Sequence, residues 1–254
     1  MVNILIIKNF LNKIVISKYT YFIIFLCLIT GLIKELIIVS TLIIFHEFGH
    51  YFMSYIFKWN VSKINIYPFG GLIIFDDKID KPLYQEFLIT IFGPIFQWII
   101  FLFLLLFKKY YSSYFINSLY NYHIYMFIFN LLPIVPLDGS KIINIFLNKI
   151  LSFKKSNLIL SIISILFTIG FLIVFKNNYS YYIIISFLIY ELINFLKQSK
   201  YLFYRFIYEK YLYKNNYKKT ILINNIKKMK RNKKHLIKYK NKYITEKEYI
   251  KKGV

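Results

Sequence analysis

The sequence predicts an all-α polytopic membrane protein with about six transmembrane helices and a short membrane-associated β-hairpin after the second of them. Of its 254 residues, 58% are hydrophobic and 21% aromatic, above the roughly half apolar content of soluble domains. The apolar residues are gathered into runs, and a helix needs about 20 such residues to cross ~30 Å of hydrocarbon. A single cysteine, Cys27, excludes an internal disulfide and a thiolate metal site.

The spans are predicted from the apolar runs and from the charged or turn-forming residues that separate them. They lie at about Tyr19–Ile33, Leu36–Phe57, Phe87–Phe107, from Phe115 into a proline-broken stretch at Asn130–Gly139, Asn157–Phe175 and Tyr181–Leu196.

Basic residues indicate the topology. Residues 197–254 hold 19 Lys and Arg against 3 Asp and Glu, a net +16 out of +23 for the chain. Cytoplasmic segments are enriched in Lys and Arg, and six spans return both termini to one side, so we place both in the cytoplasm.

We divide the chain into a membrane domain at 1–198 and a basic cytoplasmic tail or minimal C-terminal module at 199–254. The lysines of this tail favour binding to lipid headgroups over binding to nucleic acid. We expect His235, which lies in the tail, to be solvated.

The segment Asn60–Phe75 has strand-forming residues on both sides of a turn, Pro68-Phe69-Gly70-Gly71. This pattern predicts a short hairpin in or beside the cytoplasmic leaflet, whose free edge is able to pair with an extended substrate. An ordinary turn between spans is the alternative.

Two histidines and a glutamate lie inside the second span, in His46-Glu47-Phe48-Gly49-His50. A charged residue at mid-helix costs about 2.5–3.5 kcal/mol on insertion scales, so ionisable groups there usually have a function. On a helix, residues four apart differ by about 6 Å in height and about 40° in angle, so both imidazoles are able to reach one ion. Histidine suits zinc, and Glu47 is placed to accept a proton from a zinc-bound water. One Zn²⁺ per chain is predicted.

The third metal ligand must come from elsewhere in the chain. Pro133 and Pro136 cannot both lie in an unbroken helix, and an opened helix at membrane depth usually lines a site. Asp138 is the carboxylate in this break, and we take it as the third ligand. The alternative for Asp138 is a turn or N-cap residue before a helix at Ser140–Ile150.

The two motifs together resemble the site-2 protease family of intramembrane zinc metalloproteases. The resemblance covers about residues 20–200 and is carried by His46–His50 and, about 90 residues later, by Asn130-Leu-Leu-Pro133-Ile-Val-Pro136-Leu-Asp138-Gly139. It implies zinc ligands at His46, His50 and Asp138, a catalytic base at Glu47, and contact of Asn130 with the substrate or the oxyanion.

Within that family, the Pro68–Gly71 turn and the short basic tail resemble the branch that processes a membrane-associated pro-sigma factor during spore formation. This resemblance implies regulated intramembrane proteolysis in a bacterial cell membrane, specifically the outer forespore membrane. It also implies a membrane inhibitor as a further partner, and it is compatible with an oligomer.

Two other functions stay open. In another class of membrane metalloprotease the third ligand is a glutamate on a later helix, and Glu191 is the candidate here. A non-catalytic membrane scaffold would keep the fold without the reaction, although the intact set of metal-binding residues argues against it. We expect His123 to be a hydrogen-bonded helix histidine without a catalytic role.

Overall fold

Long helices dominate the chain, and short strands are inserted in three places. The computed structural model describes residues 2–68, 70–177, 180–213, 217, 219–239 and 242–251. Its helices are α1 (Val2–Leu11), α2 (Lys18–Ile29), α3 (Ile33–Ile56), α4 (Leu83–Leu106), α5 (Ser113–Leu131), α6 (Asp138–Ile150), α7 (Phe153–Val174), α8 (Ser180–Leu212) and α9 (Glu246–Lys251). Its strands are β1 (Ile14–Ile16), β2 (Val61–Tyr67), β3 (Gly70–Phe75), β4 (Thr220–Ile223), β5 (Lys234–Tyr239) and β6 (Lys242–Thr245).

Three of the described helices, α3, α4 and α7, are long and apolar enough to cross a membrane. With 22–24 residues each, they rise ~33–36 Å, which matches the thickness of the hydrocarbon core. On α7, Leu158, Leu166 and Ile173 are more than half exposed, as expected for side chains that face lipid. The chain is thus a mostly helical membrane protein, and the count of six spans stays a prediction.

The predicted break in the fourth span is confirmed, because α5 ends at Leu131 and α6 begins at Asp138. Buried Ser164 of α7 supports the broken segment. Its hydroxyl accepts a hydrogen bond from the Val135 amide at 3.3 Å and donates one to the Pro133 carbonyl at 3.3 Å. A serine on a neighbouring helix therefore pairs the backbone groups that the prolines release, as the membrane interior requires.

Residues 1–77 and 88–132 form one compact unit. Its sheet has the order β1-β2-β3, with β1 parallel and β3 antiparallel to β2. Ile43 of α3 belongs to a core with Ile64 of the sheet, whereas Leu42 packs in a second core with Phe101 and Leu119. Helix α3 is therefore buried on two sides. Strand β1 was not expected from the sequence, Phe69 of the predicted turn lies outside the described residues, and membrane association of β2 and β3 stays a prediction.

Residues 78–87 and 133–254 form the other compact unit. Helices α6, α7 and α8 are followed by a sheet of order β4-β5-β6, and its core contains Phe206, Met229 and Ile237. The described residues after 212 are thus folded on α7 and α8. The domain boundary predicted between residues 198 and 199 lies within α8, and a division there stays a prediction.

The expectation that His235 is solvated was wrong. The side chain is 0% exposed, its Nδ1 lies 2.5 Å from Oε1 of Glu246, and its Nε2 accepts a hydrogen bond from the Lys230 amide at 3.0 Å. The composition of the surrounding segment is that of a solvated tail, but hydrophobic residues interspersed in it, such as Met229 and Ile237, belong to a buried core.

A buried ion pair holds the segment before α4 to α8. Lys210 Nζ lies 2.6 Å from Oδ2 of Asp80, and the two side chains are 2% and 1% exposed. Lys210 also donates to the carbonyl of Lys233 at 2.7 Å, and the Asn232 amide donates to Oδ1 of Asp80 at 2.8 Å. The hydroxyl of Tyr217 donates to the Asp80 carbonyl at 3.0 Å. Burial, with the Asp80 carboxylate adding to it, raises the pKa of Tyr217 well above its usual range.

We expect Lys210→Met to lower the free energy of unfolding by about 3–5 kcal/mol, because it leaves the buried Asp80 carboxylate without its cation. Thermal or denaturant unfolding of the full chain in detergent measures this loss. Lys247→Met is the matched control: this lysine is exposed, and its replacement should change stability by no more than about 0.5 kcal/mol. The Asp80→Asn, Lys210→Met double variant should recover part of the loss. Equal stabilities for Lys210→Met and Lys247→Met would contradict the prediction.

Candidate metal centre

Helix α3 brings His46, Glu47 and His50 together, and all three side chains are buried. Their ligand atoms lie within 4.8 Å of one another. Nε2 of His46 is 3.1 Å from Nε2 of His50, and the two rings are nearly perpendicular, with centroids 4.7 Å apart. The i, i+4 spacing places the two rings on one face of the helix. This cluster was predicted from the sequence motif.

Helix α4 contacts both imidazoles through their other ring nitrogen. Nδ1 of His50 lies 2.7 Å from the backbone carbonyl of Ile89, and Nδ1 of His46 lies 3.3 Å from Oε1 of Gln97. A carbonyl oxygen only accepts hydrogen bonds, so Nδ1 of His50 carries the proton, and in the neutral ring its Nε2 presents a lone pair. Histidines that bind metals are commonly held in this way.

The donor set fits zinc. A tetrahedral zinc with bonds of ~2.0–2.1 Å holds two nitrogen ligands about 3.3 Å apart, close to the 3.1 Å between the two Nε2 atoms. A cation between them would bind both nitrogens at once. Imidazole nitrogens suit zinc, whereas magnesium and calcium are bound by oxygen ligands.

Two glycines let neighbouring elements approach this cluster closely. A Cβ on Gly71 of β3 would lie 2.6 Å from Oε1 of Glu47, and a Cβ on Gly93 of α4 would lie 2.9 Å from Cδ2 of His50. Both distances are shorter than the contacts that real Cβ atoms make. The hairpin therefore packs directly on Glu47, and α4 packs directly on His50.

The remaining predicted residues lie apart in the chain. Asn130 of α5 is buried, its Oδ1 lies 3.8 Å from where a Cβ on Gly70 would be, and its Nδ2 has no hydrogen-bond partner among the described residues. Asp138 belongs to the other compact unit, where it is the buried first residue of α6, with Oδ1 2.9 Å from Nζ of Lys141. The structure thus brings together His46, Glu47 and His50. The roles of these residues, and of Asn130 and Asp138, stay predictions.

His123 is a hydrogen-bonded helix histidine, as predicted. It is buried, its ring stacks on Phe101 with centroids 4.0 Å apart, and its Nδ1 lies 3.4 Å from Nε2 of Gln97. Gln97 itself was missed from the sequence. A signal was present, because Gln97 is the only side chain with an amide or a charge between Ile91 and Leu106. The Ile89 carbonyl carried no signal, since every residue has one.

Comparisons with known proteins point to one family. The family model for peptidase family M50 matches residues 34–120. Stage IV sporulation protein FB of Bacillus subtilis (strain 168) is 30% identical over 211 residues, which cover 80% of this chain and 73% of that protein. Zinc metalloprotease MJ0392 of Methanocaldococcus jannaschii is 30% identical over 157 residues, covering 56% of this chain and 45% of that protein.

A solved structure agrees with these similarities. The site-2 protease from Methanocaldococcus jannaschii matches with a TM-score of 0.59 and 25% sequence identity, over 72% of this chain and 90% of that one. The resemblance predicted from the paired motifs is confirmed: the chain belongs to peptidase family M50, the site-2 proteases.

Proposed function

We propose that this chain is an intramembrane zinc endopeptidase that cleaves a membrane-associated protein, and that its substrate is a pro-sigma factor processed during sporulation. The observation that carries the proposal is the pair of buried imidazoles with Nε2 atoms 3.1 Å apart, beside the buried carboxylate of Glu47. Similarity to a protein named for stage IV of sporulation supports the biological role.

The residues of the chain have distinct roles in this reaction. His46, His50 and Asp138 would hold one zinc ion, which lowers the pKa of a bound water and polarises the scissile carbonyl. Glu47 takes the proton from the attacking water and returns it to the leaving amine. The buried amide nitrogen of Asn130, unpaired among the described residues, donates a hydrogen bond to the substrate carbonyl oxygen, where charge develops.

The substrate binds as an extended segment along β3. In the described sheet β3 is an edge strand that pairs with β2 alone, so its outer backbone groups are able to form a ladder with a substrate strand. Gly71 of the same strand contacts Glu47. A segment added to β3 would therefore be held next to the catalytic base.

In this proposal the chain crosses a bacterial cell membrane six times, through α2, α3, α4, α5, α7 and α8. Both termini lie in the cytoplasm, because the first segment and the region after α8 are rich in lysine. In a spore-forming host the membrane is the outer forespore membrane, and a membrane inhibitor is the expected regulator.

The proposal predicts that Glu47→Gln binds zinc but loses cleavage. The amide has nearly the shape of the carboxylate but cannot accept the proton, and loss of a general base typically costs 10²–10⁴-fold in rate. The experiment is co-expression of either form with a candidate pro-sigma factor, scoring the size shift, together with metal analysis of the purified chain. Undiminished processing by Glu47→Gln would refute the assignment, and a wild-type chain that binds no zinc would refute the metalloprotease function.

The third ligand is tested by zinc content. Asp138→Ala should fall from one zinc per chain to almost none after desalting, because two imidazoles alone leave the zinc site short of its usual three protein ligands. Glu191→Ala should keep its zinc. The opposite pattern would assign Glu191 as the third ligand, and retention of zinc by both variants would exclude both carboxylates.

The two close glycine contacts predict separable losses. Gly71→Ala should displace Glu47 and lower the cleavage rate by about 10²-fold, as misplacement of a catalytic group by ~1 Å does, with zinc still bound. Gly93→Ala should displace His50 and weaken zinc binding. Gly170→Ala is the matched control, because a Cβ there meets nothing within 4 Å. Equal zinc affinity in the Gly93→Ala and Gly170→Ala proteins would rule out the contact with His50.

A further inference from the structure

Gln97 is a buried polar residue that the proposed reaction does not use. Its side chain is 0% exposed and lies in an otherwise apolar part of α4. Burying an amide is costly unless its polar atoms are hydrogen-bonded, and an apolar side chain of the same size would avoid that cost. The presence of a buried amide at this position therefore needs an explanation, which its hydrogen bonds provide.

The orientation of the Gln97 amide follows from its neighbours. Its Nε2 lies 3.0 Å from the backbone carbonyl of His123, which only accepts hydrogen bonds. The NH₂ group must face that carbonyl, and Oε1 must then face Nδ1 of His46, at 3.3 Å. Oxygen and nitrogen of a side-chain amide are assigned from such networks, and here the backbone acceptor decides the assignment.

This orientation determines the tautomer of His46. Because Oε1 of Gln97 is an acceptor, Nδ1 of His46 must carry the proton, and in the neutral ring Nε2 then carries the lone pair. Nε2 is the atom that lies 3.1 Å from Nε2 of His50, whose own Nδ1 donates to Ile89. The lone pair on Nε2 of His46, which faces Nε2 of His50, thus depends on Gln97.

We propose that Gln97 is a positioning residue that holds His46 in the Nδ1-protonated tautomer and in the orientation for metal binding. The His123 carbonyl in turn fixes the orientation of the Gln97 side-chain amide. The inference rests on the proposed zinc site. Hydrogen-bond partners of this kind are typically worth 10–100-fold in metal affinity.

The test compares two substitutions in the full chain in detergent. Gln97→Met keeps the volume but removes the acceptor, whereas Gln97→Glu keeps an acceptor for Nδ1 of His46. We expect chelator competition with Zn²⁺ to show an affinity about 10–100-fold lower for Gln97→Met and a smaller loss for Gln97→Glu, which keeps the acceptor for His46 but loses the amide donor to the His123 carbonyl. Gln85→Met is the matched control, because it changes another glutamine about 18 Å earlier along α4.

A second readout needs no metal. ¹⁵N-histidine NMR of the metal-free chain, with the His46 signal assigned from its absence in His46→Gln, should show a protonated Nδ1 in wild type and in Gln97→Glu. Gln97→Met should show a mixture of the two neutral tautomers. Because this signal is independent of zinc, a wild-type protein that binds no zinc would refute the proposed function while the tautomer still decides the role of Gln97.

Two results would overturn the inference. One is a Gln97→Met protein with wild-type zinc affinity and an unchanged His46 tautomer. The other is an equal loss of affinity in Gln97→Met and Gln97→Glu that follows an equal loss of thermal stability, because packing alone would then explain it.

Discussion

The imidazoles of His46 and His50 are buried on the apolar helix α3. Their burial determines which hydrogen-bonding groups the neighbouring elements must supply. Each ring has two nitrogens, and a nitrogen without a partner in this environment is costly. If Nε2 is to bind a metal, Nδ1 needs an acceptor from a neighbouring element. Helix α4 supplies both acceptors, a backbone carbonyl for His50 and the Gln97 amide for His46. The helix comes close enough because Gly93 has no side chain to collide with His50.

Glu47 depends on a different element. It follows His46 directly in α3, yet its buried side chain packs against Gly71 of β3. The sheet is therefore part of the site and not only a connection between two helices. It is anchored by α1 and β1 at the start of the chain, since Phe10 and Ile64 share one core with Ile43 of α3. The same strand that contacts Glu47 is the sheet edge on which a substrate would be extended.

Basic side chains of the C-terminal region, residues 199–254, take part in buried ion pairs that its composition does not predict. Lys210 pairs with Asp80, and Arg231 lies 2.7 Å from Oε2 of Glu86, so two of its positive charges are buried against carboxylates. Lys210 thereby connects the end of α8, and Arg231 the region after it, to residues 80–86 at the start of α4. Other lysines of this region, such as Lys219, Lys234 and Lys238, are exposed.

Much of the molecule follows from the sequence alone. Apolar run length determined the long helices, the spacing of His46 and His50 placed them on one face, and Pro133 and Pro136 required the break before Asp138. These features depend on neighbours in the chain, where helix geometry and proline chemistry act directly. Tertiary structure decided what depends on distant contacts: the acceptor for each Nδ1, the packing of Gly71 on Glu47, the parallel strand β1 and the burial of His235. In each of these cases at least one partner is more than ten residues away in the chain, and local patterns do not encode which distant groups will meet.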